Sequence, residues 1–106
     1  MDTINKAVNT IRKLGLQMVQ SAESGHTGII LGASPLIYSI YQVAKVNPKE
    51  PNWINRDRVI LSSGHGSAML YATLHLMGYP ITIDDLRDFR RLVKRKKVLF
   101  ALRLTW

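Results

Sequence analysis

The sequence predicts an incomplete α/β unit, mostly helical within this chain and carrying one short strand near 59–62. Three observations lead there. Apolar residues recur at helical spacing through most of the chain. One β-branched run, Val59-Ile60-Leu61-Ser62, is followed directly by a glycine turn and another helical pattern. No second strand pattern accompanies it. A strand, a turn and a helix make half of a βαβ unit, and a lone strand cannot form a sheet, so the partner strands are expected outside this chain.

The first helix is expected from Thr3 to about Ala22. Ile4, Ala7, Val8, Ile11, Leu14, Met18 and Val19 fall three and four apart on one face, and Thr3 can cap the start. Ser24-Gly25-His26-Thr27-Gly28 then places two glycines around a histidine, which ends the helix in an irregular loop. Ile29 to Leu31 make a short apolar passage. Ser34 followed by Pro35 reads as the start of the next helix, because proline suits a first helical position and serine can satisfy a free N–H there. Leu36, Ile37, Ile40, Tyr41 and Ala44 continue it until Asn47-Pro48 stops it.

Residues 47–55, with two prolines and Trp53, read as a surface connection that the tryptophan can pin. Arg56-Asp57-Arg58 leads into the strand candidate. These three residues suit a phosphate site, yet a solvated charge cluster before a buried strand explains them equally well. A third helix is expected from Ser67 to Met77, ended by Gly78. His75 falls inside it among Leu74, Leu76 and Met77, a position that suits a packed or surface histidine better than a ligand. Thr82 with Asp85 three residues on forms a capping-box pattern that opens a fourth helix through Leu86 and Phe89. The lone strand at Val59–Leu61 is expected to leave edges open to aggregation.

Composition narrows the class. The chain has 106 residues, 46% of them hydrophobic and 21% charged, which suits one small globular domain and not a disordered segment. It has no cysteine, so disulfides and thiolate metal sites are ruled out and a reducing cytoplasm is the expected location. The start reads as an amphipathic mixture, not a signal peptide, and no run approaches the length of a membrane span. The net charge of +8 is uneven. Residues 1–86 hold seven Lys or Arg against six Asp or Glu, a net of +1, while residues 87–106 hold eight against one, a net of +7. A nucleic-acid surface would more often be spread over the folded part.

The two glycine-flanked histidines carry the chemistry. In Gly25-His26-Thr27-Gly28 and Gly64-His65-Gly66 the glycines let backbone approach a ligand, a glycine turn before a helix presents N–H groups to an anion, and imidazole adds a donor or a proton carrier near neutral pH. On these residues alone, histidines that merely cap turns are the likelier reading of such loops.

The wider strings SGHTGIILGASPLIYSIY, NPKEPNWINRDRVILSSGHGSAMLYATLHLMGY and IDDLRDFRRL, in that order and spacing, resemble the N-terminus of transketolase over residues 3–92. Deoxyxylulose-phosphate synthase, from the same cofactor superfamily, also has a Gly-His loop near its start, but the residues after Asn47 are much less like it. The resemblance implies the N-terminal fragment of a thiamine-diphosphate-binding doubly wound fold, a partial diphosphate-binding domain over residues 1–92 of an enzyme that transfers a two-carbon glycolaldehyde unit from a ketose phosphate to an aldose phosphate. It implies thiamine diphosphate with Mg2+ or Ca2+ as cofactors, a homodimer, and a place in carbohydrate metabolism on the pentose phosphate pathway. His26 matches the histidine that contacts the sugar and matters for catalysis. His65 matches the one at the cofactor's diphosphate, with Gly64 and Gly66 shaping that loop. Ser24, Gly25 and Gly28 are expected as turn formers only.

The chain departs from the family pattern in two places. Thr27 stands where the family has proline, which frees a dihedral and adds an N–H. After DFRRL the family's Ser-Lys-Thr-Pro-Gly-His-Pro-Glu segment is absent. In its place residues 93–106, VKRKKVLFALRLTW, form a basic and apolar tail of unrelated character, carrying Lys94, Arg95, Lys96, Lys97 and Arg103. A shifted reading frame accounts for the abrupt change; an evolved cationic tail is the competing account. The metal ligands, the Gly-Asp-Gly motif and the activating glutamate belong to later parts of the family's sequence, so no metal site is assigned here and the isolated chain is expected to be inactive. Two other readings stand beside this one. In the first the chain is half of a split transketolase or of a deoxyxylulose-phosphate-synthase-like enzyme. In the second it is a small cationic protein that binds RNA or acidic membranes through residues 90–103.

Overall fold

A computed structural model describes residues 2–62 and 64–89. The expectations for the tail 93–106 and for the boundary at residue 92 lie outside the described residues. The described residues form four helices, α1 (Asp2–Ala22), α2 (Gly28–Val43), α3 (Ser67–Leu76) and the short α4 (Ile83–Arg87), with a 3₁₀ turn over Gly64–Gly66 leading into α3.

The core forms where α1, α2 and α3 meet. Val8, Ile11, Met18 and Val19 on α1 face Ile30, Ile37 and Tyr41 on α2, and α3 is buried almost throughout, from Ala68 to Leu74. Burial of α3 from all sides explains why seven successive residues of it carry no charge. Gly15 lets α1 and α2 approach closely, for a Cβ there would stand 2.9 Å from Ile30 Cγ2. Gly78, at φ +94, ends α3: its N–H donates to the His75 carbonyl and the Tyr79 N–H to the Leu74 carbonyl, a Schellman pattern. The α4 capping box forms as its spacing predicts, with Asp85 N–H on Thr82 Oγ1 at 3.2 Å and Thr82 N–H on Asp85 Oδ2 at 2.9 Å.

Two expectations are corrected. First, α2 begins at Gly28, so Pro35 lies inside it and Ser34 does not cap it. Ile30, Ser34, Ile37 and Tyr41 form one buried stripe, and burying that stripe outweighs the proline's disruption. The Ser34 hydroxyl donates back to the Ile30 carbonyl. Proline has no N–H for the Leu31 carbonyl, which instead accepts a hydrogen bond from Arg12 Nε of α1 at 3.1 Å. Second, residues 59–62 form no strand; among the described residues there is none, so this run has no ladder to join. Val59 and Leu61 pack partly against the core while Ile60 is 69% exposed.

The exposed face of α2 is apolar. Leu31, Leu36, Ile40 and Val43 reach solvent on a helix without one charged residue, and its flank against 59–62 forms an apolar groove of about 230 Å³. No helix among the described residues is long and apolar enough to cross a membrane.

Candidate functional site

The loop between α1 and α2 is bent by two residues with positive φ, Glu23 (52°) and Gly25 (140°). Glu23 N–H donates to the Gln20 carbonyl and Ser24 N–H to the Val19 carbonyl, which closes α1. Gly25 is required twice over, by its φ and by space, because a Cβ would lie 2.7 Å from Val19 Cγ2. The turn-former reading of Gly25 is thus the structural one. Gly28 has no atom within 4 Å of a built Cβ and opens α2. His26 stands exposed between them.

His65 is exposed in the 3₁₀ turn that feeds α3. Its neighbours differ in why they are glycine. At Gly64 a Cβ would meet nothing within 4 Å; at Gly66, which is buried, the three nearest atoms would all belong to Ile29, the closest at 3.1 Å. The fold brings the two loops together. The rings of His26 and His65 lie edge to face, centroids 5.1 Å apart and planes at 62°.

Helix ends add to the site. Thr27 precedes α2 and Gly66 precedes α3, and neither supplies a side-chain cap, whereas α4 has a full capping box. Two helix N-termini with N–H groups unmet by side chains therefore flank the histidine pair, an arrangement that favours an anion. Gly64 leaves open space beside them, so backbone there is free to approach an anion. A divalent metal does not find its ligands here: no group of three His, Cys, Asp or Glu side chains comes together among the described residues.

Other candidates fall to structural roles. Asp57 ties the connection back to the end of α2, its Oδ2 accepting from Lys45 N–H at 2.7 Å and its own N–H donating to the Lys45 carbonyl at 2.8 Å. Arg56 Nη1 donates to the Trp53 carbonyl and Arg58 Nη1 to the Arg56 carbonyl. His75 Nδ1 lies 2.6 Å from the Ile81 carbonyl, an acceptor, so Nδ1 carries the proton and the ring braces the turn after α3. Arg12 and Ile29, which hold α2 and the second loop in place, carry no mark in the sequence, since their importance lies in contacts between distant segments.

Comparison with known proteins points one way. Residues 3–97 match the family model described as transketolase, thiamine diphosphate binding domain. The chain is 56% identical over 86 residues to a transketolase of Aquifex aeolicus, covering 80% of this chain and 12% of that protein. It is 48% identical over 93 residues to that of Bacillus subtilis, covering 86% and 14%. Its structure is similar to the Pichia stipitis transketolase solved in complex with sedoheptulose-7-phosphate (TM-score 0.84, 44% identity, 87% of this chain and 14% of that one). The Campylobacter jejuni transketolase is similar too (TM-score 0.83, 44% identity, 87% and 15%). The chain thus spans about an eighth of the length of these relatives. None of this supports the split-enzyme, deoxyxylulose-phosphate synthase or cationic-binder readings.

Proposed function

The chain belongs to the transketolase family, and we propose that it forms the part of a thiamine-diphosphate-binding domain in which His26 meets the sugar substrate and His65 meets the cofactor's diphosphate. The observation that carries this reading is the 5.1 Å pairing of the two imidazoles beside two helix N-termini that lack side-chain caps. Thiamine diphosphate, when bound, stabilises the carbanion character that moving a two-carbon unit between sugars requires.

This chain's residues have separable tasks. Gly64 lets backbone approach the diphosphate, and the N–H groups opening α3 meet its negative charge together with His65. His26, exposed on the facing loop, donates or accepts a proton at a sugar hydroxyl. Gly66 serves by being small. The divalent metal, Mg2+ or Ca2+, is held by residues outside this chain, as the resemblance to the family implies. Sugar phosphates as substrates, a homodimer, the pentose phosphate pathway and a cytoplasmic location complete the proposal, with residues 1–92 as the partial domain and 93–106 as a tail outside it.

Without the metal ligands the isolated chain holds the cofactor weakly and does not complete the transfer. Purified 106-residue protein given thiamine diphosphate, Mg2+ and a ketose phosphate with an aldose phosphate is expected to show no glycolaldehyde transfer; measurable transfer contradicts this. Calorimetric titration with thiamine diphosphate tests the site itself. Weak binding that His65→Ala abolishes supports the assignment, and binding unaffected by His65→Ala overturns it.

A further inference from the structure

The backbone at Gly66, with φ −88° and ψ 10°, is open to any residue, so conformation does not demand glycine there. Space does. The three atoms nearest to a built Cβ are Cδ1, Cγ1 and Cγ2 of Ile29, at 3.1, 3.6 and 3.6 Å. Ile29 lies in the first turn of α2, three residues after His26, and Gly66 directly follows His65. The contact between them is therefore the packing contact nearest in sequence to both imidazoles.

We propose that Ile29 is a positioning residue: its side chain, seated against the bare Cα of Gly66, is the spacer that fixes how far apart the rings of His26 and His65 stand. The proposal rests on the reading of those two histidines as one site. Both rings are exposed, and among the described residues no hydrogen bond ties either of them to the protein. Their relation is thus inherited from the backbones beneath them, and the backbones touch through Ile29 and Gly66. Ile29 is only half-buried, yet it packs against the core, so its position is set from below by the cluster that includes Ile30 and Met69. An added methyl at residue 66 pushes against a branched side chain backed by that core, and the exposed 3₁₀ turn is the side free to move.

The test uses the 106-residue chain and proton NMR, reading the NOE between the two imidazole rings, with far-ultraviolet circular dichroism as the check on folding. Gly66→Ala is expected to alter the strength of the ring-to-ring NOE, since one side of the 3.1 Å contact must give, while the helical signal stays. Gly66→Ala combined with Ile29→Val, which removes the Cδ1 methyl that the new Cβ meets, is expected to restore it. An unchanged NOE in folded Gly66→Ala overturns the proposal, as does a folded double variant in which the NOE stays altered. Should Gly66→Ala lose its helical signal, Ile29→Ala removes the spacer from the other side. The ring NOE must then change while NOEs between α1 and α3 do not, and an identical ring NOE overturns the proposal. The readout is independent of the diphosphate titration, so the site's ligand and its spacer stand or fall separately.

Discussion

Arg12 of α1 donates through Nε to the carbonyl of Leu31 on α2 at 3.1 Å. Pro35, four residues after Leu31, has no N–H to offer that carbonyl, so a side chain from another helix takes the place of an intrahelical bond. Arg12→Ala is expected to cost about 1 kcal/mol, a fall in Tm of roughly 4–8 °C for a domain of this size. Restoring the N–H by Pro35→Ala should raise Tm and shrink the cost of Arg12→Ala. Thermal unfolding of the four chains in a double-mutant cycle checks this, and additive effects would contradict the coupling.

Gly15 answers a different need. Inside a helix, Gly→Ala usually stabilises by about 0.5–1 kcal/mol, but here the new Cβ would stand 2.9 Å from Ile30 Cγ2. Overpacking costs about 1–3 kcal/mol, so Gly15→Ala is expected to lower the urea midpoint. A raised midpoint would mean that α1 and α2 are not pressed together at this point.

The helical stripe of α1, the apolar run of α3 and the body of α2 were legible in the sequence, as was the α4 capping box at Thr82 and Asp85. The pairing of His26 with His65 was implied only through the family resemblance, because nothing local in either loop says that the two loops meet. The start of α2 was misread, since Ser34-Pro35 carries the local signature of a helix beginning while the deciding facts are distant: burial of Ile30 under Gly15 and the bond from Arg12. The strand at 59–62 was misread for a related reason. Its pattern is that of a strand, and a strand exists only with a partner.

Buried tyrosines set the alkaline limit. Burial pushes the Tyr71 hydroxyl up to about 12 and raises Tyr41 and Tyr79 as well, Tyr79 against the opposing charge of Arg56. Each pKa is raised above an unfolded value of about 10, so the folded state holds these protons more tightly. The stability they contribute is fully present below the unfolded value and is lost as pH rises through the folded ones. Unfolding midpoints should therefore fall between about pH 10 and pH 12, with tyrosinate absorbance appearing together with loss of helical signal. Tyrosinate from Tyr41, Tyr71 or Tyr79 that forms near pH 10 in chain still fully helical would contradict this.

Gly64 separates folding from binding. With nothing within 4 Å of a built Cβ, Gly64→Ala should change stability by no more than about 0.5 kcal/mol, yet it puts a methyl where the proposed site brings the diphosphate close to the backbone. Thermal melts and thiamine diphosphate titration of the same variant check the two halves. A large fall in Tm would show a packing role, and unimpaired binding would show that the diphosphate does not approach there.

The most direct test of the histidine site is a map of backbone amide shifts as thiamine diphosphate is added to the 106-residue chain. The account predicts shifts concentrated at residues 64–67, opening α3, and at 26–29, opening α2, with both sets following one binding curve. Shifts confined to the basic residues 94–97, or scattered without regard to His26 and His65, would contradict it.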